Sequence, residues 1–448
     1  NLILSPGSQS FELWKNVSVP VYLEVYFFNW TNPTDLKNPD AHLRIPKLVE
    51  MGPYVFREHR GKVILNWHEE NDTVTFLQNK TWHFEPSLSA GSLEDIVTTL
   101  NAPAVAAAFA SQNYPHFMKS SLAIAMKLFD TSLHVQKSVR ELTFEGYEDP
   151  LLELASILPG VMLPFDKFGW FYTRNNSATY DGIFNMYTGK GNIQNFGEMA
   201  KWNYRNTSYA YQSNCSSIKG SAGEFFPPDP QKDSVSIFST DICRTITMPF
   251  KAGVRMNGLK GYRFWSDENM LDTSPENFNT RCFCSSGKCP PKGVIDVSTC
   301  KWNVPAFVSF PHFYLADPSY RLAVKGMKPN ATNHEMYIDL EQTTGIPLQV
   351  EASMQINLLV ESYPEYEILK NVPSLYFPIF WFKQRARIDD SFINQLKIIN
   401  DISTAGYIIF GVMIWVGLAI QTTSYFSPKK YGLTREFQPL STCDEQKA

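Results

Sequence analysis

The chain has 448 residues, seven cysteines, 14% aromatic and 19% charged residues, and a formal net charge of −4. That length fits two or three average domains or one large β-rich domain, and a core of this size is stable without covalent help. No concentrated field of lysine and arginine precedes the C-terminal tail, which sets nucleic acid aside as a partner.

The sequence opens at Asn1 with only Leu2-Ile3-Leu4 as an apolar stub. A preceding segment, either a signal peptide or a membrane anchor, is therefore expected. "PVYLEVYFFNW" (20–30) places Val21, Leu23, Val25 and Phe27 on one face. "HEEND" (68–72) crowds carboxylates beside His68 and reads as a solvated turn. Between Leu93 and Ala155 the pattern turns helical. "LEDIVTTL" and the alanine-rich "PAVAAAFA" come first, with Pro103 placed to start a helix. "MKSSLAIAMKLFD" then sets Met118, Leu122, Ala125, Met126 and Phe129 on one side. "SVRELTFEGYEDPLLELA" follows, broken at Gly146 and Pro150.

"GKG" (189–191) lacks the strand-to-helix context of a phosphate loop, and no G-x-S-x-G, H-E-x-x-H or P-loop occurs, so an enzyme is not expected and no cofactor is implied. His312 in "SFPHFYLAD" reads as a packed histidine. "SMQINLLVE" (353–361) sets Met354, Ile356, Leu358 and Val360 against Gln355, Asn357 and Glu361. Such period-two runs, punctuated by 29 prolines and 24 glycines, predict a large antiparallel β architecture with a helical insert at 93–155. "DDSFINQLKIIN" (389–400) is amphipathic and predicts a helix that lies on a bilayer or runs into the next element.

That element, within 402–426, contains "TAGYIIFGVMIWVGLAIQTTSYF", with no charge and a helical rise of about 34 Å, enough to cross ~30 Å of hydrocarbon. Lys429, Lys430 and Arg435 follow, placing residues 427–448 in the cytoplasm and residues 1–400 outside the cell or in a lumen. Sequons begin at Asn16, Asn29, Asn71, Asn79, Asn175, Asn206, Asn214 and Asn330, all on the outer side, with Cys215 in the middle of the Asn214 triplet. Six cysteines share that side: Cys215, Cys243, Cys282, Cys284, Cys289 and Cys300. An even set in an oxidising compartment reads as three disulfides, whereas zinc would favour C-x2-C knuckles or nearby histidines. Spacing alone leaves fifteen pairings open.

Several blocks carry a family likeness. "GPYVFRE" (52–58), "RELTFEGYEDPLL" (140–152), "FSTDICRTI" (238–246), "RCFC" (281–284), "SFPHFYLADPSY" (309–320) and "GMKPNATNHEMYIDLEQTTGIPLQ" (326–349) resemble the class B scavenger receptor family, in order and over essentially the whole chain. "NWTNP" and "SFPHFYLADPSY" look most like its invertebrate members. The resemblance implies a glycosylated, β-barrel-like ectodomain with an apical helical cap and an internal apolar tunnel, held between two membrane spans. It also implies the pairing Cys215–Cys282, Cys243–Cys300 and Cys284–Cys289.

The function so implied is a cell-surface receptor that binds lipids, lipoprotein particles or anionic cell and microbial debris. It would pass lipid (sterol, fatty acid, carotenoid or phospholipid) through the tunnel to the membrane. Its alternatives are a recognition and endocytic receptor without lipid transfer, or an endolysosomal trafficking receptor for a lumenal protein. Cap residues marked for ligand contact are His116, Phe117, Lys119, Lys127 and Lys137. The lysine pair that relatives carry ahead of the "SVREL" block is replaced here by Leu128 and Asp130, so the cap is less basic. The tail has a single Leu440 and no Y-x-x-Φ signal, which favours the plasma membrane while leaving endosomal and lysosomal membranes open.

Overall fold

A computed structural model describes residues 3–16, 19–157, 165–284 and 289–426; the predicted tail, 427–448, lies outside them. Fifteen strands occur among the described residues: β1 (Val21–Trp30), β2 (Leu48–His68), β3 (Thr73–Phe84), β4 (Ile96–Leu100), β5 (His134–Ser138), β6 (Phe184–Tyr187), β7 (Met199–Trp202), β8 (Ser234–Ser239), β9 (Arg244–Met256), β10 (Leu259–Trp265), β11 (Val294–Asp296), β12 (Ala306–Ser309), β13 (Tyr337–Glu341), β14 (Pro347–Val360) and β15 (Leu375–Arg387). The α-helices are α1 (Gln9–Lys15), α2 (Ala102–Ala110), α3 (His116–Leu128), α4 (Pro150–Ile157), α5 (Pro318–Leu322), α6 (Ala331–His334) and α7 (Asp390–Phe426). The chain divides into two compact units, Asn1–Ile393 and Asn394–Ala448.

One antiparallel sheet dominates the first unit, in the order β7-β6-β3-β2-β1-β15-β14-β13-β10-β9-β8. Its two edges are drawn together by residues 220–222. Met199 N donates to Gly220 O, while Ser221 N donates to Ser236 O and Phe238 N to Ser221 O. A single short segment thus bridges β7 to β8 and all but closes the barrel, which removes the exposed edges an open sheet would present.

β1 lies at the centre. Val21, Leu23, Val25 and Phe27 are buried on one face, and Phe28 and Trp30 are buried on the other. Each large apolar side chain buried this completely contributes about 1.5–3 kcal/mol. Opposite β1, Gly52 takes φ +129, and a Cβ there would stand 2.8 Å from Val25 O, so only glycine fits.

Two sequence expectations change here. "LEDIVTTL" is not helical: Ile96–Leu100 form β4, paired to β5 with Ile96 opposite Ser138 and Leu100 opposite His134. Its run of β-branched residues favours a strand, and Asn29 Oδ1 accepts the Thr98 amide 2.8 Å away. Helices α2, α3 and α4 do form, with Pro103 in the first turn of α2 and α4 opening at Pro150. The second change is on β14. Gln355 and Asn357 do not face water; both are fully buried, Gln355 Nε2 donating to Asn357 Oδ1 at 2.8 Å and Asn357 Nδ2 donating to Ser309 Oγ at 3.0 Å.

The amphipathic stretch at 389–400 runs into the following helix, since α7 is continuous from Asp390 to Phe426. Asp389 Oδ1 caps it by accepting the Phe392 amide at 2.7 Å. Within α7, Gly406–Thr423 is long and apolar enough to cross a membrane, and none of that window is buried.

Candidate functional site

The barrel holds a partly open cavity of about 380 Å3, within the ~300–1,000 Å3 range of small-molecule sites. Much of its wall is apolar: Leu23 of β1, Phe184 of β6, Met248 of β9, Ile338 of β13, Met354 of β14 and Phe382 of β15 all contribute. Part of the rest is ionic, which an all-apolar tunnel does not anticipate.

The ionic wall originates in β2 and β3. Alternate residues of a strand share a face, and here the inward set is polar. Glu58, Arg60 and Lys62 pair in register with Trp82, Lys80 and Gln78. On the outward face of β2, Val63 and Leu65 are nearly half exposed. Glu224 bridges Arg60 and Lys62, at 2.7 Å from Lys62 Nζ, and also accepts from Trp14 Nε1 at 3.0 Å. Glu58 binds Arg60 and accepts from Trp82 Nε1 at 3.1 Å and from Gln384 Nε2 at 2.7 Å. Asp181 takes Lys80 at 2.6 Å and Arg174 at 3.0 Å, and Arg174 reaches Asp241 at 2.9 Å.

Four cations thus face four anions. Burial opposes ionisation of Glu58, but the charges of Arg60 and Lys80 overcome it and hold the carboxyl below its usual range. Glu224 and Asp181 are likewise held down against burial, Glu224 by Lys62 and Arg60, Asp181 by Arg174 and Lys80. Burial pulls the Lys62 ammonium below its ordinary value despite Glu224.

A second polar centre sits on the other side of β14 and β15. His312 Nε2 lies 2.6 Å from Glu50, which also accepts from Trp381 Nε1 at 2.7 Å. His312 Nδ1 accepts the Lys328 amide, so its proton is on Nε2 and points at Glu50. His334 stacks on His312 at 4.7 Å, and burial together with that neighbour pushes its pKa down to about 4. His312 is a packed histidine with a partner.

Three disulfides join Cys215 to Cys282, Cys243 to Cys300 and Cys284 to Cys289. Among the described residues no group of three metal-ligating side chains could hold an ion. Of the sequon asparagines, Asn16, Asn71, Asn206, Asn214 and Asn330 are exposed, while Asn29, Asn79 and Asn175 are half-buried. Asn175 Oδ1 accepts the Trp82 amide and Asn79 Nδ2 donates to Asn176, so these two side chains already serve the wall of the barrel.

The cap residues separate. His116, Phe117 and Lys127 are exposed on α3. Lys119 is paired with Glu365 at 3.4 Å, and Lys137, on β5, binds Glu141 at 3.4 Å with its ammonium 4.4 Å from the Tyr147 ring centre. Of the side that sequence periodicity assigns to Met118, Leu122, Ala125, Met126 and Phe129, Met126 is buried and Leu122 and Ala125 are half-buried, but Met118 and Phe129 are exposed. Periodicity also missed a second apolar stripe. Phe117, Ile124 and Leu128 recur at i, i+7 and i+11 and are 70%, 61% and 77% exposed. That spacing was present in the sequence; the inward face masked it.

A nearly closed antiparallel barrel around a cavity, braced by three disulfides and followed by one bilayer-length apolar helix, defines a membrane protein with a hollow β domain. The chain belongs to the CD36 family, whose sequence profile matches residues 1–427. It is 35% identical to protein peste of Drosophila melanogaster over 93% of this chain and 75% of that protein. It is 33% identical to lysosome membrane protein 2 of Rattus norvegicus (93% and 86%) and 30% identical to scavenger receptor class B member 1 of Mus musculus (92% and 80%).

Proposed function

We propose that this chain is a lipid receptor in which the helical segment around α3 captures a lipid-bearing particle and the barrel interior conducts lipid toward the membrane. The cavity of about 380 Å3 carries this reading. Moving an acyl chain through water costs about 0.8 kcal/mol per methylene, so an apolar conduit lowers the barrier without any covalent chemistry. Residues 1–400 stand outside the cell, the apolar stretch of α7 spans the bilayer, and residues 427–448 face the cytoplasm. The site of action is the plasma membrane. The exposed sequons carry glycan on that outer side.

The test is lipid uptake by cells bearing the full chain. Ala352 lines the cavity from β14, and Ala352→Phe narrows it. The substitution should reduce uptake of a fluorescent sterol or fatty acid while particle binding persists. Uptake equal to wild type, with the protein at the cell surface, contradicts conduction through this cavity.

One observation favours a second reading, in which the receptor recognises particles and drives their uptake with no lipid passage. The α3 stripe of Phe117, Ile124 and Leu128 lies open to solvent and could serve capture alone. The two readings part on the same experiment, because only conduction is sensitive to the cavity.

A further inference from the structure

We propose that the N-glycan on Asn206 seats its first sugar, N-acetylglucosamine, on the face of the Tyr204 ring, which makes that glycan part of the fold. The proposal rests on the outward-facing reading above and singles out the one sequon whose sugar has a built place to lie.

The first argument is the backbone. Asn203 and Tyr204 take φ +49 and φ +63 between Trp202 and Arg205, whose main chains exchange two hydrogen bonds, of 2.8 and 3.0 Å. The second position of such a turn favours glycine, because a bulky side chain at positive φ is strained. Asn203 is tied in place: its amide donates to Ile183 O, and its Oδ1 accepts the Ile183 amide. Tyr204 has no such tie. Its ring is 66% exposed and, among the described residues, meets no other ring and no hydrogen-bond partner. Strain kept on an exposed aromatic residue points to a contact made from outside the polypeptide.

The second argument is position. Two residues apart, the Cα atoms of Tyr204 and Asn206 lie within about 7.6 Å of each other, so the ring reaches a sugar joined to Asn206. Of the eight sequons, three have an aromatic residue two positions ahead: Trp14 before Asn16, Phe27 before Asn29 and Tyr204 before Asn206. Trp14 and Phe27 are buried, at 3% and 0% exposure, so of these rings Tyr204 alone is open to a sugar. The attachment point is itself fixed. Ile218 N donates to Asn206 O at 3.1 Å, and the Ser208 hydroxyl donates to Cys243 O at 2.7 Å.

The third argument is chemistry. One face of N-acetylglucosamine presents C–H groups, and its acetyl group adds a methyl, while the hydroxyls lie around the rim. Laid on a tyrosine ring, that face removes apolar area from water on both partners and leaves the hydroxyls solvated.

The experiment uses the full chain made in cells that attach N-glycans and purified in detergent. Glycopeptide mass spectrometry reads occupancy at each sequon, and hydrogen exchange reads peptides covering 199–207. Trimming with an endoglycosidase that leaves one sugar should preserve protection of the turn. Removing the whole glycan with a peptide amidase should speed exchange there roughly fivefold. Asn206→Gln, which removes the glycan and spares Ser208, should match the amidase-treated protein. In Tyr204→Asn, which keeps the left-handed turn without the ring, amidase treatment should change exchange little. The two enzyme treatments need no variant, so they decide even if neither variant folds. Unchanged exchange after complete removal overturns the proposal. So does protection already lost at the single-sugar stage, or an equal acceleration in Tyr204→Asn. Glycan at Asn71 and Asn330 with Asn206 bare overturns it and leaves the outward-facing reading intact; sugar at no sequon overturns both.

Discussion

Arg60 and Lys80 stand directly opposite each other on the β2–β3 ladder, two cations in one register pair on the inward face of the barrel. Like charges so placed repel, and the pair persists because Glu58, Glu224 and Asp181 surround it. Asp181→Asn strips Lys80 and Arg174 of a shared partner and should destabilise the protein by about 3–5 kcal/mol. Lys80→Met removes one side of the repulsion and leaves Asp181 bound to Arg174, so its cost should be clearly smaller. Denaturant midpoints of the two variants test the order; a reversed order means the anions do not hold this wall together.

That wall explains why the sequence revealed the barrel better than its contents. The alternation in β1, with Val21, Leu23, Val25 and Phe27 all buried, follows the rule that apolar residues face inward. β2 inverts that rule, pointing Glu58, Arg60 and Lys62 in and leaving Val63 and Leu65 half exposed. Period-two patterning fixes which residues share a face but not which face is enclosed. The partners Glu224, Arg174 and Asp181 lie far away in sequence, and only closure of the sheet unites them. β4 escaped for a different reason: its strand character depends on pairing with β5, some thirty residues on, and no local periodicity announces that partner. The cysteine bridges were legible through family likeness, since spacing alone leaves fifteen pairings open.

Acid should act first on His334. Its neighbours are His312, Glu50 and, at longer range, Lys383, and its folded pKa of about 4 lies below the ordinary 6.5. The unfolded chain therefore binds the proton more tightly. The stabilisation is complete above pH 6.5 and is lost as pH falls toward 4, by roughly 3 kcal/mol. Glu50, Glu58, Glu224 and Asp181 are held below their usual range, so their contributions fade only at more acid pH. His334→Asn keeps an acceptor for the Asn330 amide and should flatten the stability profile between pH 7 and pH 4.5. A variant as acid-sensitive as wild type rules out His334 as the source.

The bridges should differ in worth. Cys243–Cys300 closes a loop with a sequence separation of 57, and Cys284–Cys289 one of only 5. In the chain-entropy account these stabilise by about 4 and about 2 kcal/mol. Paired serine substitutions, C243S/C300S against C284S/C289S, should rank accordingly in thermal stability and in surface expression. Equal losses would mean that local packing around the cysteines, not loop closure, sets the contribution.

Finally, α3 offers a test of capture independent of the cavity. Phe117, Ile124 and Leu128 form its exposed stripe, whereas Met126 on its inner face is buried. Exposed residues with no structural partner change stability by about 0.5 kcal/mol or less when replaced. Serine at all three positions should leave the thermal midpoint nearly unmoved. If the stripe enters the phospholipid monolayer of a particle, each lost side chain removes about 1.5–3 kcal/mol of burial, and particle binding should fall by more than about tenfold. Binding of fluorescent phospholipid-coated emulsion to cells at matched surface expression reads this directly. Met126→Ser, by contrast, should reduce stability and binding together, because it empties the contact that seats the helix. Undiminished binding in the triple variant would remove α3 from the capture step and return the search for the docking surface to the rest of the cap.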